Sequence, residues 1–467
     1  MLNDATPQTE SLNHKGWNFA QRVCFRFAFS YLALYLFLCR FIESDLNLLT
    51  DFGFAPGGKF VAAAFAKCWV PVVVWTGKHI LRLSKSLAYS PDGNADGMYG
   101  YVQLLSFAMV AVIATIVWTL ADRKRADYRQ LYAGMRVALR YALAFSMLSY
   151  GMIKVIPVQF PAPSLIDLVT PHGDFSPFWL FWTFMGYSTA YTIFSGAVEV
   201  LAGALLLFRR TTTLGALVAL AVLLNVVMLD FCYDVPEKLD VIFLLLMAII
   251  LLAPDLGRLA NVLVLNRSTS PAVVSNPPSS RRMRIARVGA KAVIVTYTIV
   301  TAVMAPQKIK AFYSPHSPLY GIYDVEEFTR NGQVLAPLTT ESNRWKKVVF
   351  QDTNETWVEL MDDSWKRYDT SYDNAEKNVT LLTKSGRVAS KNVLAYSQPD
   401  RDHLLVAGQF KNDSLAVKLK TRRVKVESRA QQVPLDQRIS INNSGTTPSE
   451  NGRVPDSSPG APSFASF

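Results

Sequence analysis

This chain is poor in the residues that make redox chemistry legible. Its 467 residues hold four cysteines (Cys24, Cys39, Cys68 and Cys232) and five histidines. None of the cysteines forms a C-x-x-C pair, which speaks against a thioredoxin-like centre. The histidines are scattered without metal-ligand spacing, so no metal site is assigned. Haem-ligand, iron–sulfur and flavin spacings are missing too, and no inverted repeat of the transporter kind stands out. No small-residue cleavage site follows the first apolar run, which therefore reads as a retained helix. Together these absences leave the catalytic residues unassigned. Cys24 and Cys39 read as small hydrophobes buried in an apolar helix. Cys68 and Cys232 fall on the oxidising side of the predicted topology, where pairing stays open.

What the chain does have is apolar sequence. Half of it is hydrophobic, and long apolar runs recur from about residue 20 to 305. A span needs about 20 such residues to cross about 30 Å of hydrocarbon. Seven are predicted, at 22–42, 99–121, 131–157, 188–208, 212–232, 237–254 and 288–305. The net charge of +12 does not indicate nucleic acid, because the excess sits in loops between spans. Arg123, Lys124, Arg125 and Arg129 form one cluster, Arg209 and Arg210 another, and Arg281, Arg282, Arg284 and Arg287 a third. Such clusters mark the cytoplasmic side. With Lys15, Arg22 and Arg26 beside the first span, the segment 1–21 is predicted to be cytoplasmic, and seven spans then place every cluster inside. The run at 60–80, broken by Lys67, Pro71 and Lys78, would spoil that parity as an eighth span. It reads as an interfacial helix with Trp69 and Trp75 at headgroup level.

The helical membrane domain is thus predicted over 22–256, a cytoplasmic linker over 257–287 and a last span at 288–305. Between the third and fourth spans, "PVQFPAPSLIDLVTPHGDFSPFWLFWTF" reads as an outer loop and short helix anchored by Trp179 and Trp182. Beyond the last span, "WKKVVFQ", "TWVELMD", "NVTLLT", "NVLAYS", "HLLVAGQF" and "LAVKLKT" are short β-rich runs separated by turn residues. They predict an extracytoplasmic antiparallel β domain over about 315–422. The Ser/Pro/Gly-rich tail at 428–467 reads as disordered. The expected setting is the bacterial inner membrane, with the lipid bilayer as a partner.

The polar residues inside the spans are the site candidates. Glu199 sits mid-span, flanked on its own helical face by Gly196 and Gly203. Small residues there let a neighbouring helix approach, and an unpaired charge at the bilayer centre costs at least about 2.5–3.5 kcal/mol, so a partner is expected. Lys154 is the expected partner, sharing a face with Tyr150 and Gly151. A structural ion pair and a functional site remain equal alternatives. Asn225 reads as an interhelical hydrogen-bond partner more than a ligand. "LDFCYDVPEKLD", with Asp230, Asp234, Lys238 and Asp240, reads first as a solvated turn. Because Lys154 ends on the same side, these groups also form a candidate outward pocket with Tyr150 and Asn225.

The run Gly151-x-x-Lys154, the proline-bearing outer loop, Gly196-x-x-Glu199 with Gly203, and the closing "LLAPDLGRL" resemble the DoxX-like membrane proteins. The shared unit is a four-helix bundle, here about 131–256, with some likeness to vitamin-K-dependent carboxylase-type membrane domains. "YDVEEFTRNGQVLAPLTTESNRWKKVVFQ" and "AYSQPDRDHLLVAGQFKNDSLAVKLKTR" are similar to the C-terminal extension of a bacterial subset of that family. The resemblance implies a redox-linked membrane subunit that binds a quinone-like or other amphipathic ligand, or docks a periplasmic redox partner. A transporter or scaffold using Lys154 and Glu199 as a proton site or structural pair is the alternative. The resemblance also implies an aromatic-rich closing strand, which this chain lacks after about Lys425. A reading-frame slip within Gln431–Ile441 would account for the departure, and the loss predicts an exposed sheet edge.

Overall fold

The computed structural model describes residues 16–39, 57–83, 87, 96–270, 281–312, 317–351, 354–385 and 388–423. The tail expected from 428, the proposed frame slip and most of the segment 1–21 lie outside the described residues. Ten α-helices precede nine β-strands among those residues. The helices are α1 (Phe19–Leu34), α2 (Gly58–His79), α3 (Met98–Ala121), α4 (Arg129–Val155), α5 (Pro177–Tyr187), α6 (Thr189–Leu207), α7 (Thr212–Cys232), α8 (Lys238–Leu252), α9 (Leu256–Leu263) and α10 (Arg281–Phe312).

Six helical segments are long and apolar enough to cross a membrane, so this is a membrane protein: Phe19–Cys39, Gly58–His79, Met98–Ala121, Thr189–Leu207, Thr212–Cys232 and Lys238–Leu263. The set differs from the seven predicted. The expected span at 131–157 is helical as far as Val155, in α4, and that at 288–305 lies within α10, but neither is among the six. In α4, Arg129, Arg136, Arg140 and Lys154 dilute the apolar character. Conversely, the run expected to lie in the interface is the unbroken span-length helix α2, Pro71 included.

Helix direction follows from contacts at the ends. A reciprocal cap starts α1, with Asn18 accepting from the Gln21 amide and Gln21 from the Asn18 amide. Buried Arg26 then donates to the Tyr128 hydroxyl, Thr119 Oγ1 and the Asp122 carbonyl, tying the start of α1 to the end of α3. At the other end, Tyr35 and Asp96 both bond the start of α8. Tyr35, just after α1, and Asp96, just before α3, therefore lie at one end of the bundle. The Arg26 end also holds the α6–α7 turn, where Arg140 donates to Thr212 Oγ1 at 3.4 Å. Lys291, early in α10, lies 5.2 Å from the Phe208 ring centroid, so all three basic clusters gather at this end.

The expected linker at 257–287 is helical at both edges, starting within α9 and ending within α10. All four cysteines are free, so Cys68 and Cys232 do not pair, and Cys24 is exposed, not buried. Trp182 is no interfacial anchor. It is buried with Phe160, Phe181, Met185 and Val235, and Trp179 packs against the same cluster.

The strands are β1 (Gly321–Arg330), β2 (Gln333–Val334), β3 (Trp345–Phe350), β4 (Glu355–Leu360), β5 (Trp365–Asp373), β6 (Asn378–Ser385), β7 (Val388–Ser397), β8 (His403–Phe410) and β9 (Asp413–Thr421). The predicted antiparallel β domain is an eight-stranded barrel closed by β1 against β9, with β2 a short flap on β1 turned at Asn331–Gly332. Closure contradicts the expected open edge, since Tyr323↔Thr421 through Arg330↔Leu415 are paired. Two of the strands, β1 and β5, escape a hydrophobicity reading because charged residues alternate through "YDVEEFTR" and "WKRYDTSYD".

Side-chain alternation gives the barrel two buried faces. Inward, Phe328, Trp345, Val348, Val358, Leu415, Val417 and their neighbours fill the interior, as expected for eight strands. Outward, Ile322, Val349, Trp357 and Trp365 are buried by Leu165 from the loop between α4 and α5, with Ile166, Leu168 and Val169 packed alongside. The Leu165 amide donates to Gln351 Oε1 at 3.2 Å. The loop turns through Asp167, whose carboxylate accepts from the Ser164 amide and hydroxyl at 2.8 and 2.7 Å. The barrel thus docks on the bundle at the end opposite the basic clusters.

Candidate functional site

The most extensive helix–helix contact among the described residues, α4 on α6, is lined by glycine. A Cβ built on Gly196 would lie 2.6 Å from both the Gly151 carbonyl oxygen and Lys154 Cβ. One on Gly203 would lie 2.7 Å from Leu148 Cγ. Only hydrogen leaves room for backbones this near. That proximity brings Lys154 Nζ to 2.9 and 2.8 Å from the two Glu199 carboxylate oxygens. Lys154 is 9% exposed and Glu199 4%, so each is the other's main source of compensation.

Polar contacts continue from this pair toward α8 and α1. Lys154 Nζ lies 5.9 Å from the Tyr150 ring centroid, within cation–π range. The Tyr150 hydroxyl donates to Asp240 Oδ2 at 3.0 Å, and Tyr35 donates to Asp240 Oδ1 at 2.7 Å. A chain Glu199–Lys154–Tyr150–Asp240–Tyr35 therefore links α6, α4, α8 and α1. Beside it, Asp96 accepts from the Lys238 and Leu239 amides, both at 2.9 Å, supplying the N-terminal donors of α8 with a carboxylate. The Lys238 ammonium reaches Asp234 at 2.8 Å and Asp96 at 3.5 Å.

Asp230 is the unbalanced member. It is 4% exposed, and its Oδ2 has no hydrogen-bond partner among the described residues. Asp96, Lys154 and Lys238 act on it electrostatically. Carboxylates outnumber cations here, with Asp96, Glu199, Asp230, Asp234 and Asp240 against Lys154 and Lys238. A buried carboxylate without a donor carries an uncompensated cost, so this oxygen accommodates a proton or a donor from a ligand.

The structure brings Lys154, Glu199, Tyr150, Asp230 and Asp240 to one end of the bundle. Asp234 joins through Lys238 but lies on the surface, its side chain 82% exposed. The turn holding these aspartates is not uniformly solvated, since Asp230 is inside it. Asn225 does not belong to the site: it is exposed on the outside of α7. Tyr35 and Asp96 escaped the sequence reading. Tyr35 is hidden in an apolar run, and the polar stretch before α3 says nothing about which helix Asp96 caps. No group of three or more His, Cys, Asp or Glu residues is placed to hold a metal ion among the described residues.

No family model matches the chain, and no solved structure matches it. It is similar to the uncharacterized protein YwoB of Bacillus subtilis (strain 168), with 37% identity over 119 residues, covering 25% of this chain and 73% of YwoB.

Proposed function

Since the chain belongs to the family of YwoB, itself uncharacterized, the site must supply the chemistry, and we propose that this is a redox-linked membrane subunit binding a quinone-like ligand. The observation carrying this reading is the buried Asp230 oxygen, without a hydrogen-bond partner among the described residues and acted on by Lys154 and Lys238. A quinone carbonyl accepts hydrogen bonds and a quinol hydroxyl donates them. Lys154 suits the former, and Asp230 suits either according to its proton. The apolar helices around the site provide the path by which an amphipathic molecule enters from lipid. On this reading residues 131–256 form a DoxX-like unit.

The gathering of the basic clusters at one end favours that end being cytoplasmic, with the barrel periplasmic in an inner membrane and available to a redox partner there. Reporter fusions after residue 320 that are active in the cytoplasm would overturn this orientation. For the ligand, the protein is purified in mild detergent and its bound lipids are identified by mass spectrometry. A quinone is expected to copurify near one per chain and to be lost in Asp230→Asn and Lys154→Met. Absence of quinone, together with no binding of added short-chain quinone, would sink the proposal.

A second reading rests on the way Lys154 and Glu199 satisfy each other. A pair so well matched also serves as interhelical glue or a proton site in a transporter or scaffold. Full cellular function in the double variant Lys154→Met/Glu199→Leu would identify it as structural.

A further inference from the structure

Helix α7 hides most of its length poorly. Ala221, Leu224, Asn225, Met228, Phe231 and Cys232 are all exposed, and their spacing puts them on one continuous stripe. Apolar members of this stripe need only lipid. Asn225 needs more, because it lies about 10 Å inside the Cys232 end of a span and hydrocarbon offers an amide neither donor nor acceptor. The Asn225 side chain makes no hydrogen bond to any described residue of its own chain.

Three polar side chains of α3 are handled differently. Ser106 and Thr115 on α3 are buried and return their hydroxyls to the carbonyls of Val102 and Ala111, at 2.8 and 2.7 Å. Gln103 is buried within the bundle. Asn225 alone among these four faces outward.

We propose that the outer stripe of α7 is a self-association surface, on which Asn225 bonds Asn225 of a second copy. Copies inserted with the same topology are related by a two-fold axis along the membrane normal, so equivalent residues meet. A carboxamide carries both donors and an acceptor, which makes it complementary to itself across such an axis. Leu224, Met228 and Phe231 pack around the amide pair, and Cys232 approaches its own counterpart two turns further on. The inference is independent of any ligand at Asp230.

The test uses full-length protein in native membranes, with Cys24, Cys39 and Cys68 changed to Ser so that Cys232 is the one thiol. A short bis-maleimide is expected to yield a species of twice the 52.0 kDa chain mass. Asn225→Leu is expected to lower the crosslinked fraction about tenfold, while Asn225→Gln retains it. Labelling of Cys232 by a monofunctional maleimide in all three proteins checks that they are folded and accessible. Equal crosslinking in Asn225→Leu, or a purely monomeric mass in lipid nanodiscs for the unaltered chain, would overturn the proposal.

Discussion

The bundle and the barrel each bury a lysine–glutamate pair, and the two pairs are built differently. Lys154 and Glu199, 45 residues apart on different helices, meet only because glycine lets those helices touch. Lys347 and Glu359 are direct neighbours across β3 and β4, so hairpin register alone places them. Glu359 also receives Lys346, whose side chain is 41% exposed, giving the barrel pair a solvated alternative. The bundle pair has none among the described residues. The same chemistry is therefore a local consequence of register in one region and a tertiary achievement in the other.

The largest effect should come from breaking the isolated pair. Glu199→Gln is expected to destabilise the bundle by about 3–5 kcal/mol, as for other broken buried pairs. Glu359→Gln should cost about 1–3 kcal/mol, the loss of a charge-assisted bond at a site where exposed Lys346 keeps Asp363 as a partner. Unfolding in detergent, followed separately for each region, measures both. Equal losses would erase the contrast between the two pairs.

Next in size is the joint between the regions. Leu165→Ala should cost about 2–3 kcal/mol at the barrel's outer face, at the lower end of core truncations because a loop relaxes. Hydrogen exchange should rise at 164–170 and along β3 and β4 while the barrel's own unfolding midpoint holds. A fall in that midpoint would mean the barrel depends on the bundle for its fold.

The glycine contact can be tested with one methyl group. Gly196→Ala forces apart backbones whose added Cβ has no space and is expected to cost about 1–3 kcal/mol. It should also weaken short-range crosslinking between cysteines placed one turn from 154 and 199. Unchanged crosslinking would show that α4 and α6 tolerate a wider crossing.

The smallest effect concerns pH at the joint. Burial pushes the Asp167 carboxyl above its ordinary value of 3.8, and the Ser164 hydrogen bonds only partly oppose this. The native state then holds more protons than the unfolded one across that interval. Stability is greatest below the ordinary value and falls as pH rises through the raised one, by at most about 1.4 kcal/mol per pH unit. Asp167→Asn should flatten this slope in the exchange of residues 164–170. A slope that survives the substitution belongs to another group.

Much of this molecule was written locally. Apolar runs of span length, basic clusters between them and the change to strand-like periodicity all lie in consecutive residues, so membrane helices followed by an antiparallel β domain could be read directly. The partnership of Lys154 with Glu199 was also legible, because glycine at 151, 196 and 203 announces close approach and an isolated charge in lipid demands a partner. Tertiary structure decided what depends on distant segments meeting. It turned Asn225 outward and Asp230 inward, although both lie on the same helix, because helix rotation is set by packing against α6 and α8. It brought Tyr35 and Asp96 to the start of α8, which no spacing along the chain encodes. It also closed the barrel, since the pairing of β1 with β9 joins residues nearly a hundred positions apart through backbone hydrogen bonds that carry no side-chain signature.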